Sequence, residues 1–257
     1  MKYKTVRIRN LTIGAGMPRI CVPVMGKTEE EILEHTKKAA AARPDLLEWR
    51  ADSFTDILRP GAAAGLLQKL SKTAGQLPIL FTFRSAAEGG ERPITPEEYT
   101  ELDLEAAASG YADLIDVEAQ MKHLDAAKLT ETIHGENCLV IASRHYFHHT
   151  PPQEELREVF ENLEQTGADI LKLAVMPENR RDVLRLLDIT QEMITATPRP
   201  VVTMSMGPLG AITRLSGETF GSCLTYASAG TASAPGQFPA EEVRTIQTLL
   251  HQRITAN

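Results

Sequence analysis

Residues 138–175 read CLVIASRHYFHHTPPQEELREVFENLEQTGADILKLAV, and they hold one complete repeat of the fold. CLVIASRH, from Cys138, is an apolar run of strand length. Pro151 and Pro152, followed by Glu154 and Glu155, are the signature of a helix N-terminus. DILKLAV, from Asp169, is a second apolar run. A strand, an amphipathic helix and another strand at this spacing imply parallel pairing through a right-handed crossover.

The same alternation extends in both directions. The other apolar runs are ICVPVMG from Ile20, DLLEWR from Asp45, PILFTFR from Pro78, ADLIDVE from Ala112, PVVTMSM from Pro200 and SCLTYAS from Ser222. With the first two they make eight, the number a closed barrel requires. Between them, Thr28 with Glu31 reads as a capping box, and Thr95-Pro96 with Glu97 and Glu98 as another helix start. Segments 180–195 and 240–254 are further helix candidates. No linker or low-complexity tract interrupts the 257 residues. The expected fold is therefore α/β, a (β/α)8 TIM barrel forming a single catalytic domain over residues 1–257. VRIRNLTIGAG, from Val6, alternates apolar and polar residues and is expected to form a short β-hairpin capping the barrel's N-terminal end. An open doubly wound sheet is the alternative, but no G-x-G-x-x-G follows the first strand.

The net charge of −7 argues against nucleic acid as a partner, because phosphate binding needs a basic face. It leaves room for a small basic pocket. No apolar stretch is long enough to span a bilayer, and no signal peptide follows Met1. Cys21, Cys138 and Cys223 are far apart and lie in apolar runs, so reduced, buried thiols and a cytoplasmic location are expected.

The informative residues are charges at alternate positions of apolar strands, where i and i+2 share a face. Glu48 and Arg50, Arg84, Asp116 and Glu118, His145, Lys172, and the pair Met204 and Met206 all lie toward C-terminal strand ends. Barrel active sites are assembled there. Singly, each has an ordinary structural reading as a salt bridge, or as core filling for the methionines. Lys172 is harder to dismiss, since lysine is almost never fully buried without a functional or ionic reason. Burial and the cations Arg50 and Arg84 are expected to depress its pKa and favour the neutral amine that attacks a carbonyl. His145 has the intrinsic pKa of an acid–base partner. His148 and His149 invite a metal reading, but no H-x-H or H-E-x-x-H accompanies them, so surface exposure is expected and no metal is assigned.

At these residues the chain resembles the type I 3-dehydroquinate dehydratases. The matches are EWR (48–50), FTFR (81–84) with EGG (88–90), SRHYF (143–147), DILKLAV (169–175), TMSMGPLGAITRL (203–215), FGSCLTYAS (220–228) and SAPGQ (233–237). The resemblance implies dehydration of 3-dehydroquinate to 3-dehydroshikimate without metal or cofactor, by a homodimer acting on a small-molecule substrate. It implies Lys172 as the Schiff-base lysine, His145 as general acid and base, and Glu88 as the carboxylate beside that histidine. Glu48, Arg50 and Arg84 would hold substrate hydroxyls and Arg214 the carboxylate. Met204, Met206 and Tyr226 would form an apolar wall, although the family is familiar with Phe where Tyr226 stands. Ser233 and Gln237 would close over the substrate from the loop 229–239. A class I aldolase and a non-catalytic barrel with an inert Lys172 are the alternatives that the residues alone leave open.

Overall fold

The computed structural model describes residues 5–230 and 236–256. Its eight parallel strands are β3 (Arg19–Val24), β4 (Leu46–Arg50), β5 (Ile79–Thr82), β6 (Leu114–Glu118), β7 (Leu139–Tyr146), β8 (Ile170–Val175), β9 (Val201–Ser205) and β10 (Leu224–Tyr226). They pair in sequence order, with β10 against β3. A parallel bridge between Val201 and Ser222, with the Cys223 N–H donating to the Val201 carbonyl at 2.9 Å, brings β9 to the start of β10. The architecture is the expected (β/α)8 barrel.

The helices that cover it begin where the sequence signals them. Capping boxes close the N-termini of α1 (Glu29–Ala41), α3 (Pro96–Ala108) and α6 (Arg180–Ala196). In α5 (Gln153–Gln165), Leu156, Val159, Phe160 and Leu163 are buried, the i, i+3, i+4, i+7 stripe of a helix packed on a sheet. The remaining long helices, α2 (Ala62–Ala74), α4 (Ala126–Gly135) and α8 (Ala240–Ile254), also bury one face, and α7 (Gly217–Phe220) is a single short turn. No helix among the described residues is long and apolar enough to cross a membrane. Cys21, Cys138 and Cys223 are free and buried.

Strand alternation separates two cores. Outward residues such as Trp49, Phe81, Val117, Val140 and Leu173 pack beneath the helices. Inward ones, Leu46, Leu80, Leu114, Ile141, Ile170, Val202 and Leu224, form an apolar floor inside the barrel. The hairpin of β1 (Val6–Ile8) and β2 (Leu11–Ile13) joins that floor through Ile8 and Ile13. Arg9 anchors it to Asp113 at 2.7 Å, at the N-terminal edge of β6. The hairpin therefore plugs the end where it was expected.

Candidate active site

Two residues farther along β4 to β8, on the same inward face, the floor gives way to polar groups. Leu46 is followed by Glu48 and Arg50, Leu80 by Thr82 and Arg84, and Leu114 by Asp116 and Glu118. Ile141 is followed by Ser143 and His145, and Ile170 by Lys172. The β7–β8 register sets Ser143 beside Lys172 and His145 beside Ala174, so imidazole and amine rise from adjacent strands one step apart.

Buried charges require partners, and these have them. Lys172 Nζ donates to Asp116 Oδ2 at 2.8 Å, lies 3.7 Å from Glu48 Oε1, and sits 4.7 Å from the centre of the Tyr226 ring. Arg84 donates to Asp116 at 2.7 Å, Glu118 at 3.0 Å and Ser143 at 3.1 Å. Burial works against ionisation of Asp116, yet Arg84 and Lys172 outweigh it and hold the carboxyl well below its usual range. The two cations expected to act on Lys172 are thus committed elsewhere. Arg84 serves Asp116 and Glu118, and Arg50 is bidentate to Asp52 at 2.8 and 2.9 Å.

His145 Nδ1 meets Glu88 Oε2 at 2.9 Å, and the same oxygen accepts the His145 backbone N–H at 3.1 Å. Arg144 Nη1 donates to the other Glu88 oxygen at 2.6 Å. Burial, then the neighbouring Glu118, raise the Glu88 carboxyl to about 7 against the pull of Arg84 and Arg144. Burial, then the cations Arg84 and Lys172, hold His145 well below its ordinary value. An uncharged imidazole with Nδ1 engaged offers Nε2 to a substrate.

A pocket of about 500 Å³, counting its open mouth, is lined by Lys172, His145, Glu48, Arg50 and Arg84 on one side. Met204, Met206, Arg214, Tyr226 and Gln237 line it on the other. Glu88 stands behind His145. Arg214 comes from the turn after β9. Among the described residues its guanidinium donates only to the Tyr226 carbonyl at 3.4 Å and the Met204 sulfur at 4.0 Å, and Nε has no partner. No carboxylate pairs with it among the described residues, and burial lowers it to about 10. A buried arginine without an acid, facing a pocket, is a site for an anion. Tyr226 also leaves its hydroxyl buried without a partner. Ser233, with residues 231–235 of its loop, lies outside the described residues. His148 and His149 are exposed, as expected.

Sequence reasoning missed several groups. Glu118 stood out as a strand-end charge but received no role, whereas Asp116, whose ordinary reading is a salt bridge with Lys172, makes that contact. Ser143, two residues before His145, could have been found by extending the i, i+2 rule to uncharged polar residues. Asp52, Tyr99 and Phe147 carry no such signal. Asp52 lies after the strand end, where alternation no longer predicts direction. The Tyr99 hydroxyl reaches from α3 to bridge the Asp116 carbonyl and the Glu118 N–H, each at 3.0 Å. Phe147 lines the pocket from the segment after β7.

A family model described as type I 3-dehydroquinase matches residues 20–254. A 3-dehydroquinate dehydratase of Clostridium kluyveri is 45% identical over 95% of this chain and 97% of its own length. The solved type I 3-dehydroquinate dehydratase of Clostridium difficile, determined with covalently modified comenic acid, superposes with TM-score 0.94. It is 40% identical, over 98% of this chain and all of its own. The 3-dehydroquinate dehydratase of Geobacillus kaustophilus also gives TM-score 0.94, at 39% identity, covering 99% of this chain and 98% of that one.

Proposed function

This chain belongs to the type I 3-dehydroquinases, hydro-lyases that dehydrate 3-dehydroquinate in the shikimate pathway, and from that premise we propose how its residues carry the reaction. The substrate is a ring ketone with a carboxylate and a hydroxyl on the second carbon from the ketone. Arg214 takes the carboxylate, because it is a buried cation with no acid paired to it among the described residues. Met204, Met206 and the Tyr226 ring face the apolar part of the ring, and Glu48, Arg50 and Gln237 meet its hydroxyls. Arg84 serves them less directly, since its donors already go to Asp116, Glu118 and Ser143.

Lys172 Nζ releases a proton and adds through its lone pair to the ketone carbon, and the ketone oxygen leaves as water, forming an iminium. His145 Nε2 takes a proton from the adjacent carbon, and that electron pair becomes the enamine double bond. The enamine expels the hydroxyl, which receives the proton back from His145 and departs as water. Hydrolysis then frees Lys172 and 3-dehydroshikimate. The carrying observation is a buried Lys172 amine and the His145 imidazole, its side chain 8% exposed, lining one pocket. Covalently modified comenic acid in the Clostridium difficile relative supports covalent chemistry in a pocket of this kind. We extend to this chain the homodimer that the family resemblance implies, which sedimentation tests directly.

Borohydride added during turnover is expected to leave a secondary amine on Lys172, because reduction of the imine fixes the ligand. Peptide mapping that finds Lys172 unmodified while turnover continues would overturn the mechanism.

A further inference from the structure

Along β7, side chains alternate. Ser143 and His145 point inward, and Arg144, between them, points out. Its side chain is 26% exposed, whereas that of its partner Glu88 is 2% exposed. The guanidinium lies 4.9 Å over the Tyr146 ring, and its Nε is buried without a partner. The Tyr146 hydroxyl in turn donates to Glu155 at 3.1 Å. One exposed strand position thus reaches, through a single carboxylate, the ring nitrogen that fixes the state of the base.

We propose that Arg144 is a positioning residue for the dehydration, holding Glu88 ionised so that the His145 proton stays on Nδ1 and the basic lone pair on Nε2. The inference rests on the reading of His145 as base. It follows from proton bookkeeping. With Glu88 ionised, Oε2 accepts both Nδ1–H and the His145 backbone N–H, while Oε1 accepts from Arg144. An added proton has two resting places. On Glu88 it lies on Oε2 and donates to Nδ1, which moves the imidazole proton to Nε2. On His145 it occupies Nε2 directly. Either arrangement blocks the lone pair, so one proton on the pair switches off the base wherever it resides.

Every charged group facing the pair bears on this. Arg84, from the segment after β5, stands 3.6 Å from Glu88. Glu118 of β6 opposes Glu88 ionisation. Lys172 of β8 and Arg50 at the end of β4 act on His145 as cations, against Asp116 of β6. Arg84 is shared with Asp116 and Glu118, whereas Glu88 is the only carboxylate paired with Arg144 among the described residues. Among the described residues, Arg144 is therefore the cation whose removal takes an ion pair from Glu88 and from no other carboxylate.

The test is the pH profile of kcat/KM for the parent enzyme, Arg144→Met and Arg144→Lys, with 15N NMR of His145 in each. In Arg144→Met the acid limb should move up by about 1 pH unit, the typical minimum for loss of an adjacent opposite charge. Below the limb that is about a tenfold loss, recovered at high pH with KM unchanged. Arg144→Lys should restore most of the shift, and the NMR should show Nε2 protonation beginning at correspondingly higher pH in Arg144→Met. A limb and a 15N transition that stay put, or a loss equal at every pH, would overturn the role of Arg144. Dehydration persisting in His145→Ala would instead overturn the reading of the base itself, so the two failures are distinct.

Discussion

Arg214, in the proposed role, shows how a residue can cost the fold something and serve the site. It is 2% exposed, and among the described residues its Nε is unpaired and no carboxylate offsets its charge. Arg214→Met, which keeps apolar volume and removes the charge, should raise the melting temperature of the free protein. It should also lower kcat/KM by about 30- to 4000-fold, the size of a deleted buried charge contact of about 2–5 kcal/mol. Thermal scans and steady-state kinetics on one preparation check both signs, and a less stable variant would show that Arg214 already has its partner. At the same scale, Lys172 and His145 divide the labour. His145→Ala should still form a borohydride-trappable adduct on Lys172 while dehydration falls by about 10²–10⁴-fold, the usual contribution of a general acid or base.

The element that holds Glu88 is the 3-10 turn Ala86–Glu88 and the two glycines after it. Gly89 has φ +84° and its α-carbon lies under the Phe147 ring, where a Cβ would come within 2.3 Å of ring carbons. A Cβ on Gly90 would sit 1.8 Å from the Arg84 carbonyl oxygen. Both clashes are with the frame that aims Glu88 at His145, which is why EGG must read as it does. Gly90→Ala should cost about 1–3 kcal/mol through overpacking. Because the clash displaces Glu88, it should also depress kcat more than KM. A destabilised variant with normal kcat would show that the turn and the acid–base pair are independent. The β7 strand illustrates the same scale differently. A period of two places His145 inside and Arg144 outside, so one strand supplies the base and the cation behind its carboxylate.

Across the whole molecule, Asp116 on one hand and Glu88 and Asp103 on the other have opposite pH behaviour. Asp116 is depressed by Arg84 and Lys172 against the effect of burial. Its contribution to stability is present above its ordinary value of 3.8 and declines as pH falls below it. Glu88 is raised from 4.5 to about 7 by burial and then Glu118. Asp103 of α3, both of whose oxygens are buried without partners, is raised well above its ordinary value by burial and then Asp116 and Glu118. For these two the folded chain holds protons that the unfolded chain has released, so stability falls as pH rises through that range. The melting temperature should therefore be higher at about pH 5.5 than at about pH 8, with Asp103→Asn raising the value at the higher pH and narrowing the gap. A flat profile over that interval, unchanged by Asp103→Asn, would show that neither group is protonated in the fold.

By itself the sequence determined the barrel, because eight apolar runs separated by capped amphipathic stretches have few other ways to bury their apolar surface. It also singled out Lys172 and His145, because polar residues two apart on a buried strand share its inner face, whereas Arg214, in the turn after β9, was reached only through the family resemblance. Those rules are local, so they are legible in a chain read one segment at a time. Which charge pairs with which was decided only by closing the barrel. Arg50 turns to Asp52 and Arg84 to Asp116 and Glu118, so neither remains the free cation beside Lys172 that strand position alone suggested. The Tyr99 hydroxyl under β6 and the Arg144 contact to Glu88 belong to the same class. They join segments many residues apart, and the energy of a buried charge depends on the distances and burial that only the packed structure sets.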